Sequence, residues 1–153
     1  MVYHKIFLFP SLILLCGIFL SGFTAESDEA LVRDLLLSRT LIMEQVLYGE
    51  LSLEEGERRL AQIETQPLLK EDITAMRTWL DSDLDVVRRL EILSLEKRTG
   101  LYGYRAFDAL ILWEMRGVTG SYTETVEYNV VLKQSGDQYR ISILEPLLPK
   151  LIE

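Results

Sequence analysis

The chain has 153 residues and a formal net charge of −8 at pH 7, with 16 Lys and Arg against 24 Asp and Glu. Its single His and single Cys are His4 and Cys16, so residues 26–153 contain neither. This excludes histidine-based acid–base catalysis, cysteine nucleophiles, disulfides and ordinary zinc sites from that part of the chain, and the acidic excess argues against general nucleic-acid binding.

The first 25 residues differ in composition from the rest. A short start with one lysine, Lys5, precedes an uncharged apolar run over Ile6–Phe23, and small residues follow as far as Ala25. This order predicts a secretory signal. The run is about 18 residues long, which is near the lower limit for crossing a bilayer and equally allows a retained membrane anchor. Both interpretations place residues 26–153, which we predict to form a single domain, outside the cytoplasm.

The next part of the chain predicts three helices. The first extends over Ala30–Tyr48, with acidic residues at its start and Gly49 as its C-terminal cap. Its apolar face is broad, which indicates a well-buried helix. The second begins with a capping box at Ser52 and runs to about Glu64. The apolar spacing predicts a third helix over about Leu69–Leu80.

An acidic connector, Asp81–Asp85, precedes a first and rather irregular strand over Val86–Leu95. Basic residues cluster in and after this strand. They are Arg88, Arg89, Lys97, Arg98 and Arg105. We interpret this cluster as solvated charge that flanks the strands, with a contact surface for a partner as the alternative.

Three runs of alternating apolar and polar residues follow, over Phe107–Met115, Tyr122–Leu132 and Tyr139–Ile143. Alternation places every second side chain on the same face of a strand, so each run predicts a strand with one apolar face. With the first strand, these runs predict a four-stranded antiparallel meander that is covered on at least one side.

Glycine-containing breaks separate these runs and predict tight turns. Centring the turns on residues 119–120 and 135–136 places apolar residues opposite one another in both hairpins, whereas a slip of one residue would pair apolar with polar residues. The expected pairs are Trp113 with Val126 and Leu132 with Tyr139.

Helices followed by an antiparallel meander make an α+β pattern. This pattern resembles the NTF2-like and cystatin-like families, in which a curved sheet wraps a long first helix. The residues that carry the resemblance are Trp113–Met115, Tyr128–Lys133 and Gln138–Ser142. The last two segments look like the closing hairpin of the family, which often has Trp where this chain has Tyr139. The similarity covers about residues 27–147.

The resemblance implies several functions, because members of these families range from enzymes to parts of secretion complexes. The enzymes among the NTF2-like proteins resemble isomerases and dehydratases that have an Asp or His inside the cone of the fold. In this chain the alternation turns Asp108 away from the cone and leaves Glu124 alone near a strand end. A single carboxylate without a second catalytic group is poorly suited to acid–base catalysis. An isomerase- or dehydratase-like enzyme is therefore kept only as an alternative.

We therefore expect a non-catalytic binding or assembly module without a cofactor or metal. A weak candidate for its ligand-binding site is a pocket lined by Trp113, Tyr128 and Tyr139, although the pattern favours a place for these aromatic residues in the core. The other candidate is a membrane-anchored component of a secretion- or conjugation-type complex, held by residues 6–23. A protein partner or a homo-oligomer is compatible with both.

Overall fold

The computed structural model describes residues 27–79 and 85–147, in which three helices are followed by four strands. The helices are α1 (Asp28–Leu47), α2 (Leu53–Ile63) and α3 (Leu68–Trp79). The strands are β1 (Val86–Thr99), β2 (Tyr104–Gly117), β3 (Gly120–Ser135) and β4 (Gln138–Pro146). They form one antiparallel sheet in the order β1-β2-β3-β4, which confirms the predicted α+β fold.

The predicted signal or anchor, residues 1–25, lies outside the described residues, as does most of the acidic connector. Within the described ranges, no helix combines the length and the apolar character needed to cross a bilayer.

Local capping determines where the helices begin and end. The Ser27 hydroxyl accepts a hydrogen bond from the Ala30 N–H at 3.1 Å, and the Ser52 hydroxyl accepts one from the Glu55 N–H at 3.2 Å. These contacts satisfy backbone donors that have no partner within the first turn of a helix. Gly49 follows α1 with a φ of +70°, a conformation that glycine adopts readily. The predicted caps at Ser52 and Gly49 are therefore confirmed.

The core has two parts, and α1 contributes to both. The first half of the helix packs against the inner face of the sheet, the face turned towards the helices, whereas the second half packs against α2 and α3. The first cluster includes Val32, Leu36, Phe107, Ile111, Val130, Leu132 and Ile141. The second comprises Ile42, Met43, Val46, Leu60 and Met76. Because α1 is buried on two sides, its apolar face is broad, as the sequence predicts.

Both predicted hairpin registers are wrong by two residues. The first turn lies at residues 118–119, so that Trp113 is opposite Glu124 rather than Val126. The second lies at residues 136–137, so that Leu132 is opposite Ile141 rather than Tyr139. Both breaks form two-residue turns, as expected, but each turn is centred one residue away from the predicted position. A shift of two residues keeps the same side chains on each face, so the face assignment survives as far as Leu132 and Ile141. Beyond that pair Val131 is opposite Ile143 and Val130 is opposite Leu144, so Leu144 rather than the predicted Ile143 packs against the core.

A bulge in the pairing of β3 and β4 follows from how the α2–α3 connection docks on the sheet. The Thr65 N–H donates to the Ile141 carbonyl at 2.8 Å, and the Ser142 hydroxyl donates to the Gln66 carbonyl at 2.9 Å. The register shifts between Val131 and Leu132, directly across from this contact. The connection thus continues the sheet beyond β4 and joins the helical layer to its edge.

Candidate functional site

A cavity of about 410 Å³ lies between the C-terminal half of α1 and the inner face of β1, β2 and β3. Side chains spaced four residues apart lie on one face of a helix, so α1 contributes two adjacent rows to its wall. These rows are Arg39, Met43 and Leu47, and Thr40, Glu44 and the C-cap residue Tyr48, which directly follows the helix. The sheet contributes Val87, Trp113, Met115, Glu124 and Tyr128.

Two of the three predicted aromatic residues meet at this cavity. The Trp113 and Tyr128 rings pack edge to face, with centroids 6.3 Å apart and an interplanar angle of 75°. Trp113 is 8% exposed, and its indole nitrogen is buried beside the Tyr128 ring. Burial raises the pKa of Tyr128 against the opposing effect of the neighbouring Trp113 indole N–H, and the Glu124 carboxylate adds a smaller rise, so the Tyr128 hydroxyl stays protonated at neutral pH. The wall therefore offers aromatic surface and neutral polar groups.

Tyr139, the third predicted residue, does not line this cavity. It lies at a second cavity of about 470 Å³, together with Leu31 and Leu35 from the first half of α1. There the Arg105 guanidinium stacks on its ring, 4.0 Å from the centroid. The structure thus separates the predicted trio into a pair and a single residue. Whether any of them binds a ligand stays a prediction.

Carboxylates surround the mouth of the first cavity. Glu44 lies on α1, Glu124 is exposed on β3, and Asp85 precedes β1, where it accepts a hydrogen bond from the Tyr122 hydroxyl. Burial raises the pKa of Glu44, and the charge of Arg88 opposes that rise. No group of three or more acidic residues within the described ranges is placed to hold a metal ion.

A buried charged network adjoins the cavity through Arg39. The Arg39 guanidinium donates two hydrogen bonds to the Asp72 carboxylate, from Nε to Oδ2 at 2.5 Å and from Nη2 to Oδ1 at 2.6 Å. Its Nε also lies 3.3 Å from Oε1 of Glu64. Two parallel bonds of this kind fix both side chains, and burial strengthens them. The network therefore joins α1, α3 and the end of α2.

Glu64 is the most perturbed acid of this network. Its side chain is fully buried, and burial followed by the nearby Asp72 carboxylate raises its pKa to about 9, against the opposing charge of Arg39. Glu64 is thus a neutral acid at pH 7, next to one compensated ion pair. Glu64 does not line the cavity, so its carboxyl group would not touch a molecule bound in the cavity.

Sequence reasoning missed this network, although a signal for it exists. Asp72 stands between Leu68 and Met76 at a spacing of four, in the middle of an apolar row of α3. Arg39 holds the same position between Leu35 and Met43 in α1. Opposite charges within the buried rows of two helices indicate a buried pair, because burial of a lone charge is costly.

The fold and the site together define a class: an α+β protein of three helices on a four-stranded meander, with an aromatic cavity beneath its first helix. No family model matches the chain, and no curated protein does so either. Among solved structures, it is similar to the intermembrane space region of the chloroplast protein ARC6, with a TM-score of 0.55, 8% identity, and coverage of 81% of this chain and 99% of that one. At that identity the similarity shows a shared fold alone.

A de novo designed β-sheet protein, determined by NMR, matches with a TM-score of 0.38 and 16% identity, over 80% of this chain and 93% of that one. This match is too weak to add to the description of the fold.

Proposed function

We propose that the chain is a non-catalytic binding or assembly module that works outside the cytoplasm. The observation that carries this proposal is the cavity under α1, which is walled by Trp113, Tyr128 and two methionines. Concave sites lined by aromatic and apolar side chains with a few polar groups are typical of small-molecule binding sites. An NTF2-like arrangement, with the first helix against the sheet, suits such a site.

The chemistry of the wall favours binding over catalysis. The acid with the strongly raised pKa, Glu64, is outside the cavity, whereas Glu44 and Glu124 stand on different elements at its mouth. General acid–base catalysis needs a group within hydrogen-bond reach of the reacting atoms. An isomerase- or dehydratase-like activity would therefore depend on exposed carboxylates alone. For this reason we favour a binding function and keep the enzymatic activity as the alternative.

Two arguments support a place outside the cytoplasm. The first is the apolar run of residues 6–23 behind Lys5, which predicts export whether or not it is cleaved. The second is the shared fold with a region of a chloroplast protein that lies in an intermembrane space. Neither argument depends on the cavity, so location and binding can be tested separately.

The binding proposal is tested with a neutral apolar dye, N-phenyl-1-naphthylamine, and a variant that fills the cavity. Val87→Phe adds a ring to the wall, whereas Val131→Phe adds the same ring to the opposite face of the sheet. We expect dye affinity to fall at least about tenfold in Val87→Phe, since the occupied volume removes the apolar contacts, and to stay unchanged in Val131→Phe. Equal dye binding by both folded variants would contradict the proposal.

A second candidate is the membrane-anchored form, as a component of an envelope complex or a homo-oligomer. It is favoured by the short distance along the chain between the apolar run, which ends at Phe23, and Ser27, which caps α1. A retained segment would hold the domain directly at the membrane. Intact mass and membrane fractionation from the native host distinguish the forms: a shortened, soluble protein would rule out the anchored one.

A further inference from the structure

The hairpin tip between β1 and β2, residues 99–104, exposes an unusual set of side chains. Leu101 is 65% exposed, Tyr102 is 96% exposed and Tyr104 is 40% exposed. Turn tips are normally built from Gly, Asn, Asp, Pro and Ser, whose small or polar side chains tolerate water and tight geometry. Three bulky residues within four positions therefore form a compact apolar projection rather than scattered surface residues.

The backbone conformation at Tyr102 is energetically unfavourable for a tyrosine. The Tyr104 N–H donates to the Leu101 carbonyl at 3.0 Å, and the two residues between them have positive φ, +52° at Tyr102 and +77° at Gly103. This is the geometry of a type I′ turn, whose first central position favours Asn, Asp or Gly. Tyr102 therefore strains the turn and packs against almost nothing, and such outliers point to a role outside the fold.

Basic side chains stand beside the exposed rings. The Lys133 ammonium lies 5.6 Å from the centroid of the Tyr104 ring and makes no ion pair within the described ranges. Lys97 and Arg98 flank the tip on β1, each with an acidic partner. Aromatic rings with adjacent lysines are typical of surfaces that enter the headgroup layer of a bilayer, where both the apolar body and the polar end of the ring are accommodated.

The start of the described chain lies at this same end of the sheet. The Asp28 carboxylate pairs with Lys97 on β1 at 3.0 Å and with Arg105 on β2 at 2.5 Å, which are the strands on either side of the tip. The apolar run ends at Phe23, and a fully extended chain from there to Ser27 spans at most about 14 Å. A bilayer that holds residues 6–23 is thus within reach of the tip.

We propose that the β1–β2 tip is a second membrane contact, in which Leu101, Tyr102 and Tyr104 enter the interfacial layer of the bilayer that holds residues 6–23. Lys133 then lies at the level of the lipid phosphates. This inference rests on the membrane-anchored form of the proposed function. It fixes the orientation of the domain, with the tip towards the membrane and the β2–β3 turn away from it.

The test uses the full chain with Cys16→Ser, in vesicles of phosphatidylethanolamine and phosphatidylglycerol. A single thiol is introduced by Tyr102→Cys or, as the matched control, by Val118→Cys, and is labelled with an environment-sensitive dye. Val118 is 88% exposed in the turn at the opposite end of the sheet. We expect the label at residue 102 to be blue-shifted and to show several-fold lower quenching by iodide than the label at residue 118.

Four outcomes separate the possibilities. Equal quenching at both positions overturns the inference while vesicle flotation still supports the anchor, and failure to float removes the anchored form and the inference together. Shielding that grows with the protein-to-lipid ratio means that a second copy covers the tip, which also overturns it. Finally, replacing Leu101 and Tyr104 by Ser should abolish the shielding of residue 102; unchanged shielding would refute the role given to the tip.

Discussion

Replacement of Glu64 by glutamine tests the charge state of the buried network. Burial and then the Asp72 carboxylate raise the pKa of Glu64 from 4.5 to about 9 in the folded protein. The folded state therefore keeps a proton that the unfolded state has lost, and the free energy of unfolding falls as pH rises between these two values. The stability that the folded state gains by keeping this proton on Glu64 is fully present below about pH 4.5 and is lost as the pH approaches about 9.

The size of the effect follows from the width of this window. Each pH unit within it changes the free energy of unfolding by about 1.4 kcal/mol, so that keeping Glu64 protonated costs up to about 3 kcal/mol at pH 7. Glutamine has the shape of the protonated acid and does not titrate. We therefore expect Glu64→Gln to raise the free energy of unfolding at pH 7 by about 1–3 kcal/mol and to have a much smaller effect near pH 5.

Urea unfolding followed by circular dichroism at about pH 5, 7 and 8.5 measures this difference. Glu71→Gln is the matched control, because Glu71 is exposed on α3 and lies outside the network. The gain from Glu64→Gln should increase with pH, whereas the control should show no such trend. A gain that is the same at all three pH values, or a loss of stability, would mean that Glu64 is ionised in the folded protein and would refute the argument.

Three further predictions concern stability and are measured by urea unfolding. Gly56→Ala should lose about 1–3 kcal/mol, since the added Cβ would lie 2.3 Å from Cγ2 of Val46; a gain would show that α2 can shift. Tyr102→Asn should gain about 0.5–1 kcal/mol by relieving the left-handed tyrosine, and a loss would mean that the ring packs. Ser142→Ala should lose about 1 kcal/mol with its bond to Gln66, and faster amide exchange at Thr65 should accompany it; an unchanged exchange rate would contradict this.

The fold could be predicted from the sequence because its signals are local. Capping at Ser52, the end of α1 at Gly49 and the alternation through β2 each depend on neighbouring residues alone. The hairpin registers were missed because a glycine-containing break does not reveal which of its residues form the turn. The bulge at Ser142 was missed for a different reason: it depends on the contact with Gln66, which is distant in the sequence.

The candidate site was predictable only in part. Alternation placed Trp113 and Tyr128 on the same face, and the two rings do meet. The same alternation placed Tyr139 with them, but it does not report distance along the sheet, and this ring lies at another cavity with Arg105. The acid Glu64 was missed because its burial results from the packing of three helices, which periodicity within one helix does not describe.

The contact between the α2–α3 connection and β4 has a consequence for the order in which the chain folds. The Ser142 hydroxyl and the Gln66 carbonyl are 76 positions apart, so this bond closes a loop that contains α3 and most of the sheet. Loop closure of that length carries an entropic cost and slows folding. We expect the helices and the first hairpins to form early, while the edge of the sheet is joined to the helical layer only after β4 has emerged. In a nascent or translocating chain, the helical layer would therefore lack its contact with the edge of the sheet until β4 has emerged.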